Sequence, residues 1–348
     1  MTAPTSRAPT TRTDGANEAL TNRDSHPELS IGFLGAGDIA DLHADAIVSC
    51  PGARLHGLWN RTPGRAQRRA EQFDCRVYES AEQLVADPAI DAVFVLTNLE
   101  THRKYAELAM QNGKHVLVEK PAGATLDEIA SMRQTAREHN VQCVPVHNYI
   151  YEPSVERTRL MIERGQLGKL VSVHVLYNIH HPEIVAQRYP GVLRQIMTHH
   201  AYILLYLGGE AQTVSAMKAT INDGSVDQEN LAVATLQMQN GAIAHLHASF
   251  AADDHSGEPW TCLIKVIGTD GATRFSYRDW VENKKAQVHS HTFSAYPFSI
   301  ERTVHHFLSQ CVQNGAPPLS TMQDAYDALR IIEGCEASIA EQRIIQLS

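Results

Sequence analysis

From Leu29 to Val146, short apolar runs alternate with segments whose apolar residues recur at helical spacing. The runs predict strands over Leu29–Leu34, Arg54–Trp59, Arg76–Tyr78, Ala92–Leu96, His115–Glu119 and Gln142–Val146. Between them the spacing predicts helices over Ile39–Ser49, Pro63–Phe73, Ala81–Val85, Thr101–Asn112 and Leu126–His139, with Gly113 stopping the fourth. Strict alternation of strand and helix implies an α/β unit with a parallel, doubly wound sheet, ending near Asn148. Beyond Tyr151 the texture changes. After a helix over Ser154–Arg164, longer period-two stretches predict strands over Val171–Ile179, Thr213–Ile221, Asn230–Gln239, Ala242–Ser249, Thr261–Gly268 and Ala272–Ser276. Gln239-Asn240-Gly241 reads as a hairpin turn, because Asn and Gly accept positive φ. The expectation is a second α+β domain with a large, mostly antiparallel open sheet. A helix from about Ile196 to Leu207 interrupts it, and helices over Ile300–Asn314 and Met322–Gln342 close the chain. The expected division is a disordered tail over 1–28, a doubly wound unit over 29–148, and an α+β unit over 149–348.

Composition narrows the function classes. A chain of 348 residues with 43% hydrophobic and 20% charged side chains is long enough for two globular units. No apolar run is long enough to span a bilayer, so no membrane partner is expected. The net charge of -9 arises without a single-sign block, which argues against nucleic acid as a partner. The six cysteines are scattered with no Cys-x-x-Cys pair and read as reduced thiols. The first 28 residues lack the apolar core of a signal peptide, so a cytoplasmic location is expected.

The chemistry begins where the first strand meets the first helix, in Gly35-x-Gly37-x-x-Ala40. Gly35 allows the tight turn, Gly37 lets backbone approach a pyrophosphate, and Ala40 keeps the helix close to the sheet. A pyrophosphate would rest on the helix N-terminus, beside Asp38 and Ile39. At the end of the second strand, where an NAD enzyme carries a carboxylate for the ribose hydroxyls, the chain reads Asn60-Arg61-Thr62. A guanidinium there pairs with a 2′-phosphate, so NADP(H) is favoured, with NAD(H) as the alternative. Thr97, Asn98 and His102 follow another strand at the ligand-binding edge, and Glu119-Lys120-Pro121 projects a charged pair from the next. The alternatives are bland: a helix cap with His102 exposed, and a surface lysine.

The assembled pattern resembles the glucose-fructose oxidoreductase and inositol dehydrogenase family, Gfo/Idh/MocA. The resemblance rests on Gly35-x-Gly37-x-x-Ala40, His115 to Pro121 with the Asn98 to His102 loop before it, and His147-Asn148-Tyr149 with Pro153. It continues through Gly165-x-Leu167-Gly168 and Gly191 to Gly209. It implies a Rossmann domain followed by an α/β domain whose open sheet supports a homodimer or homotetramer. It also implies hydride transfer between a nicotinamide and a carbinol carbon of a sugar, cyclitol or related polyhydroxylated metabolite. The family's catalytic trio is the lysine of Glu-Lys-Pro with an Asp and a His four residues apart on a later helix. Lys120 and His199 match, but the middle position is Gln195, which cannot ionise. Where many relatives carry another acid on that helix, this chain has Tyr202.

Read on their own chemistry, His199 can move a proton near neutrality and Lys120 can stabilise an alkoxide, while Gln195 can position substrate through its amide. This set is expected to favour reduction, or a substrate more acidic than a plain sugar alcohol. His180 and Arg188 are expected to line the substrate pocket, with Asn148 facing the nicotinamide and Glu119 near the cofactor. Adjacent histidines point apart, so no metal site is expected. Two further readings stay open: a redox-neutral lyase or glycoside-cleaving enzyme with retained cofactor, and a non-catalytic dinucleotide-binding sensor.

Overall fold

Strand β1 (Leu29–Leu34) is buried along its whole length, as a central parallel strand covered on both faces must be. The computed structural model describes residues 28–181, 186–187, 189–221, 227–252, 261–276, 280–283, 288–291 and 296–347. The expected tail therefore lies outside the described residues, apart from Glu28. Around β1 a six-stranded parallel sheet forms from β2 (Ala53–Trp59), β3 (Arg76–Val77), β4 (Ala92–Val95), β5 (His115–Val118) and β6 (Cys143–Pro145), in the order β3-β2-β1-β4-β5-β6. Helices α1 (Ile39–Val48), α2 (Pro63–Phe73), α3 (Ala81–Ala86), α4 (His102–Gln111) and α5 (Leu126–Glu138) connect the strands. The order reverses between β1 and β4, which opens a crevice at the carboxyl ends of those two strands.

After a 3-10 turn (Asn148–Tyr151) and α6 (Pro153–Glu163), a second sheet forms from β7 (Leu170–Asn178), β8 (Ala211–Ala219), β9 (Leu231–Met238), β10 (Ile243–Ser249), β11 (Thr261–Gly268) and β12 (Ala272–Ser276). A short pair, β13 (Trp280–Asn283) and β14 (Val288–His291), stands apart, and β15 (Ile345–Gln346) adds to the edge at β8; the sequence pattern did not foresee these three. The sheet is mixed, because β7 and β10 pair parallel while its other neighbours pair antiparallel. One face carries Ala232, Ala234, Leu236 and Met238 into the core, beneath α7 (Thr198–Gly208) and the long α9 (Met322–Glu341). Helix α7 is buried nearly all round, which fits its unbroken apolar texture.

Helix α8 (Tyr296–His305) crosses back from the second half to the first. It runs on into a π-helical stretch (His306–Gln313), and together they place Ile300, Val304, Phe307, Leu308 and Cys311 in one apolar cluster with Phe33, Phe94, Ala44 and Ile47. The Phe307 ring meets Phe94 edge to face at 5.9 Å, and Phe94 stacks on Phe33 at 5.5 Å. The division at residue 148 thus separates the two sheets, whereas this helix crosses it. Phe307→Ala, which empties that packing, is expected to cost about 3–5 kcal/mol in a denaturant melt. A fragment ending at residue 148 is expected to lack a sharp unfolding transition by circular dichroism; a sharp one would show the first sheet to be self-sufficient.

Candidate active site

Gly35 sits at φ +107°, and a Cβ there would lie 2.5 Å from the backbone oxygen of Leu96 on the neighbouring strand exit. The glycine is demanded by the fold. Gly37 differs: a Cβ would meet no atom within 4 Å, and its φ is not among the positive ones. The protein's own packing does not require a glycine at that position, whereas a bound pyrophosphate lying against the backbone would. Asp38 is exposed and Ile39 half-buried at the start of α1, whose N-terminus faces the crevice. The residues present fit a dinucleotide.

At the end of β2 the side chain of Asn60 is committed to the turn: Oδ1 accepts the Ala36 N–H at 3.1 Å and Nδ2 donates to the Thr62 carbonyl at 3.2 Å. Arg61 and Thr62 are exposed beside it. On the far side of the crevice Asn98 is exposed and Thr97 half-buried, its hydroxyl accepting from Thr101 at 2.9 Å. His102 is buried, contrary to an exposed cap. Its ring nitrogens lie 2.9 Å from the Pro121 carbonyl and 3.0 Å from that of Thr97, so it clasps the β4 exit to the Glu-Lys-Pro loop.

Glu119 is buried, with Oε1 2.8 Å from Nε2 of His43 on α1 and Oε2 accepting the Lys120 N–H at 3.1 Å. Burial alone would raise its carboxyl, but the hydrogen bond and charge of His43, with Lys120 and His102, outweigh it and hold the group lowered. His43 escaped the sequence reading; only its place on the sheet-facing side of α1 hinted at it.

Lys120 leaves the carboxyl end of β5 and reaches the second half of the chain, where Nζ donates to the main-chain carbonyl of Gln195 at 3.0 Å. Burial brings its ammonium down to about 8, against the opposing pull of Glu119. Gln195 lies in a π-helical turn, Leu193–Met197, that leads into α7. Such turns alter the carbonyl pattern of a helix and are frequent at functional sites. The contact to Lys120 is thus made by the main chain of Gln195. One turn on, His199 is buried, with Nδ1 2.7 Å from the Tyr202 hydroxyl. Burial first, then the charge of Lys120, His200 and His147, holds it well below the usual imidazole range, so the ring is neutral at physiological pH.

Support for this turn comes from residues the sequence reading did not single out. Glu229 accepts the Leu193 N–H through Oε1 at 3.3 Å, and its backbone oxygen accepts from Val192 at 3.0 Å. Arg194 forks onto Glu336 of α9 with two bonds of 2.7 Å and donates to the Ala124 carbonyl at 2.9 Å. Partners 142 residues apart leave no local signal. Asn148 does not present its amide to the crevice: it is fully buried, with Nδ2 donating to Ser299 at 2.6 Å and Oδ1 accepting from Tyr202 at 3.2 Å. His180 is exposed at the exit of β7, and the half-buried His181 is the one lowered in part by the charge of Lys120, after burial and His180. Arg188 lies outside the described residues. Among the described residues no group of three or more His, Cys, Asp or Glu is placed to hold a metal, and no helix is long and apolar enough to cross a membrane.

Gly37→Ala is expected to leave the melting temperature within about 2 °C of the parent while weakening dinucleotide binding at least about tenfold by calorimetry. Gly35→Ala is expected to lower the melting temperature outright. If both variants lost stability alike, Gly37 would be a structural glycine.

The chain matches two family models: an oxidoreductase family with an NAD-binding Rossmann fold over residues 29–147, and the GFO/IDH/MocA C-terminal domain over residues 155–274. It is 27% identical over 326 residues to scyllo-inositol 2-dehydrogenase (NAD(+)) of Bacillus subtilis, covering 86% of this chain and 90% of that one. It is 27% identical over 228 residues to 1,5-anhydro-D-fructose reductase of Ensifer adhaerens, covering 63% of this chain and 68% of that one. Among solved structures, a levoglucosan dehydrogenase in complex with NADH and L-sorbose superposes with a TM-score of 0.82 at 20% identity, over 93% of this chain and all (100%) of that one, a likeness of fold. With one model spanning the first sheet and the other most of the second, the chain belongs to the GFO/IDH/MocA family of oxidoreductases.

Proposed function

We propose that the chain transfers a hydride between a nicotinamide dinucleotide and a carbinol or keto carbon of a sugar, cyclitol or related polyhydroxylated metabolite. The observation that carries this reading is the 3.0 Å contact of Lys120 Nζ with Gln195, which brings an ammonium from the first sheet to the helix that bears His199. The glycine turn and the amides of α1 would hold the pyrophosphate, Arg61 and Thr62 the adenosine ribose, and Thr97 and Asn98 the opposite wall. The dinucleotide supplies the hydride chemistry when bound. Lys120 stabilises negative charge on the carbinol oxygen, and His199 exchanges the hydroxyl proton. Relatives named as inositol, apiose and anhydrofructose enzymes support a polyhydroxylated substrate.

The neutral state of His199 bears on direction. A neutral imidazole accepts a proton readily, so the resting site is poised for alcohol oxidation, where the sequence alone favoured reduction. Cofactor choice turns on the end of β2, where Asn60 is used by the turn and Arg61 is exposed, with Asn60 and Thr62 rather than a carboxylate as its sequence neighbours. That arrangement supports acceptance of the 2′-phosphate of NADP(H) alongside NAD(H). The outer face of the second sheet exposes Met217, Val233 and Ile243, which supports association of copies through that face.

The test is turnover with NAD+ and NADP+ across a panel of inositols and aldoses, followed by nicotinamide absorbance; dinucleotide binding without any turnover would favour a sensor. Arg61→Ala is expected to raise KM for NADP+ about tenfold more than KM for NAD+; equal effects would remove the 2′-phosphate contact. Activity is expected to fall as pH rises through about 8, where Lys120 loses its proton. Because the lysine is lowered from 10.5 in the folded state, the unfolded chain binds more protons between about 8 and 10.5, and its contribution to stability rises over that window. Lys120→Met is therefore expected to raise the melting temperature at pH 7 while cutting kcat at least about 100-fold. A rise of activity through pH 8 would make Lys120 the proton acceptor instead.

A further inference from the structure

The network behind His199 has a direction. It starts from a group that can only accept, the main-chain carbonyl of Tyr296, which takes the Ser299 hydroxyl proton at 2.7 Å. A serine hydroxyl has one proton, so Ser299 must receive from Asn148, at 2.6 Å. This turns the amide Nδ2 toward Ser299 and leaves Oδ1 toward Tyr202, at 3.2 Å. Oδ1 can only accept, so the Tyr202 proton is committed to it. The Tyr202 oxygen also receives the main-chain N–H of Tyr149 at 3.3 Å. What lies at 2.7 Å on its remaining side is His199 Nδ1, and with the phenol proton spent that nitrogen must be the donor.

Resting on the reading of this crevice as a hydride-transfer site, we propose that Tyr202, through Asn148, holds His199 as its Nδ1–H tautomer and thereby presents Nε2 as the acceptor of the substrate hydroxyl proton. A neutral imidazole carries one N–H, so protonation at Nδ1 leaves a lone pair on Nε2. No hydrogen bond of Nε2 to another described residue accompanies that of Nδ1. The members are locked. Asn148, Ser299, Tyr202 and His199 are all buried, His147 stacks on the Tyr202 ring at 4.1 Å and 13°, and the Tyr149 ring meets His199 edge-on at 5.1 Å. The opposite tautomer would need the phenol proton at Nδ1, which would set the Asn148 oxygen against a phenol lone pair in a dry site.

In alcohol oxidation the substrate O–H bond breaks and its proton forms an N–H bond at Nε2. The carbinol C–H bond breaks with its electron pair leaving as hydride to an oxidised nicotinamide, and the C–O bond becomes C=O. Tyr202 touches neither substrate nor cofactor in this account; it is a positioning residue.

The test is long-range 15N–1H correlation on the full chain labelled at histidine, without cofactor or substrate, with His199 assigned by comparison with His199→Ala. The expected spectrum shows the proton on Nδ1 in the parent and a shift toward Nε2 in Tyr202→Phe, which keeps the ring and its stack on His147. Tyr202→Phe is further expected to lower kcat for alcohol oxidation at least about tenfold with KM changed less than about twofold. A parent proton on Nε2, or a tautomer unmoved by Tyr202→Phe, would overturn the assignment. The proper tautomer in a protein that turns over no polyol would sink the hydride-transfer reading and leave this one standing; turnover with the proton on Nε2 would do the reverse.

Discussion

The Lys120 ammonium is taken out of water at the seam between two sheets and, among the described residues, given one main-chain carbonyl there, beside the buried Glu119. Desolvating a cation is costly, and one neutral hydrogen bond does not restore what water provided. The rest of the architecture is arranged to keep the charge in place. Glu119 is anchored by His43 from below, His102 ties the loop carrying Lys120 to the β4 exit, and Arg194 ties the helix it reaches to α9 and to Ala124. Three independent anchors converge on one side chain, which is the expected form of a site that holds strain for chemistry.

The same seam explains the divided second half of the chain. Helix α7 bears His199 on one side and packs Ile203, Leu204 and Leu207 into the core on others, so it is buried almost all round. Helix α8 returns to the first sheet and contributes Ser299, which closes the network behind His199, and Ile300, which fills the core under α1. Packing and proton positioning are thus done by adjacent residues of one helix. A change of core volume there is transmitted to the histidine, because close-packed interiors pass strain rather than absorb it.

Pattern and spacing alone predicted both sheets, the glycine turn and the lysine at the β5 exit, because each depends on local chemistry: period of burial, backbone freedom at Gly35, and a strand end cut by proline. What they misjudged depended on partners far along the chain. The side chain expected to face the nicotinamide at Asn148 turned inward onto Ser299. The parallel pairing of β7 with β10 also has no signature in either strand by itself.

The amino-acid sequence by itself determined which groups are available: a glycine turn, an ammonium, an imidazole, and no carboxylate at position 195. Only the tertiary structure decided their states. Burial neutralises His199 and lowers Lys120, and a carbonyl-terminated hydrogen-bond chain gives the imidazole its direction. Protonation and tautomer are properties of desolvation and of partners brought from up to 151 residues away, as Asn148 and Ser299 are, and no local stretch of residues carries that information.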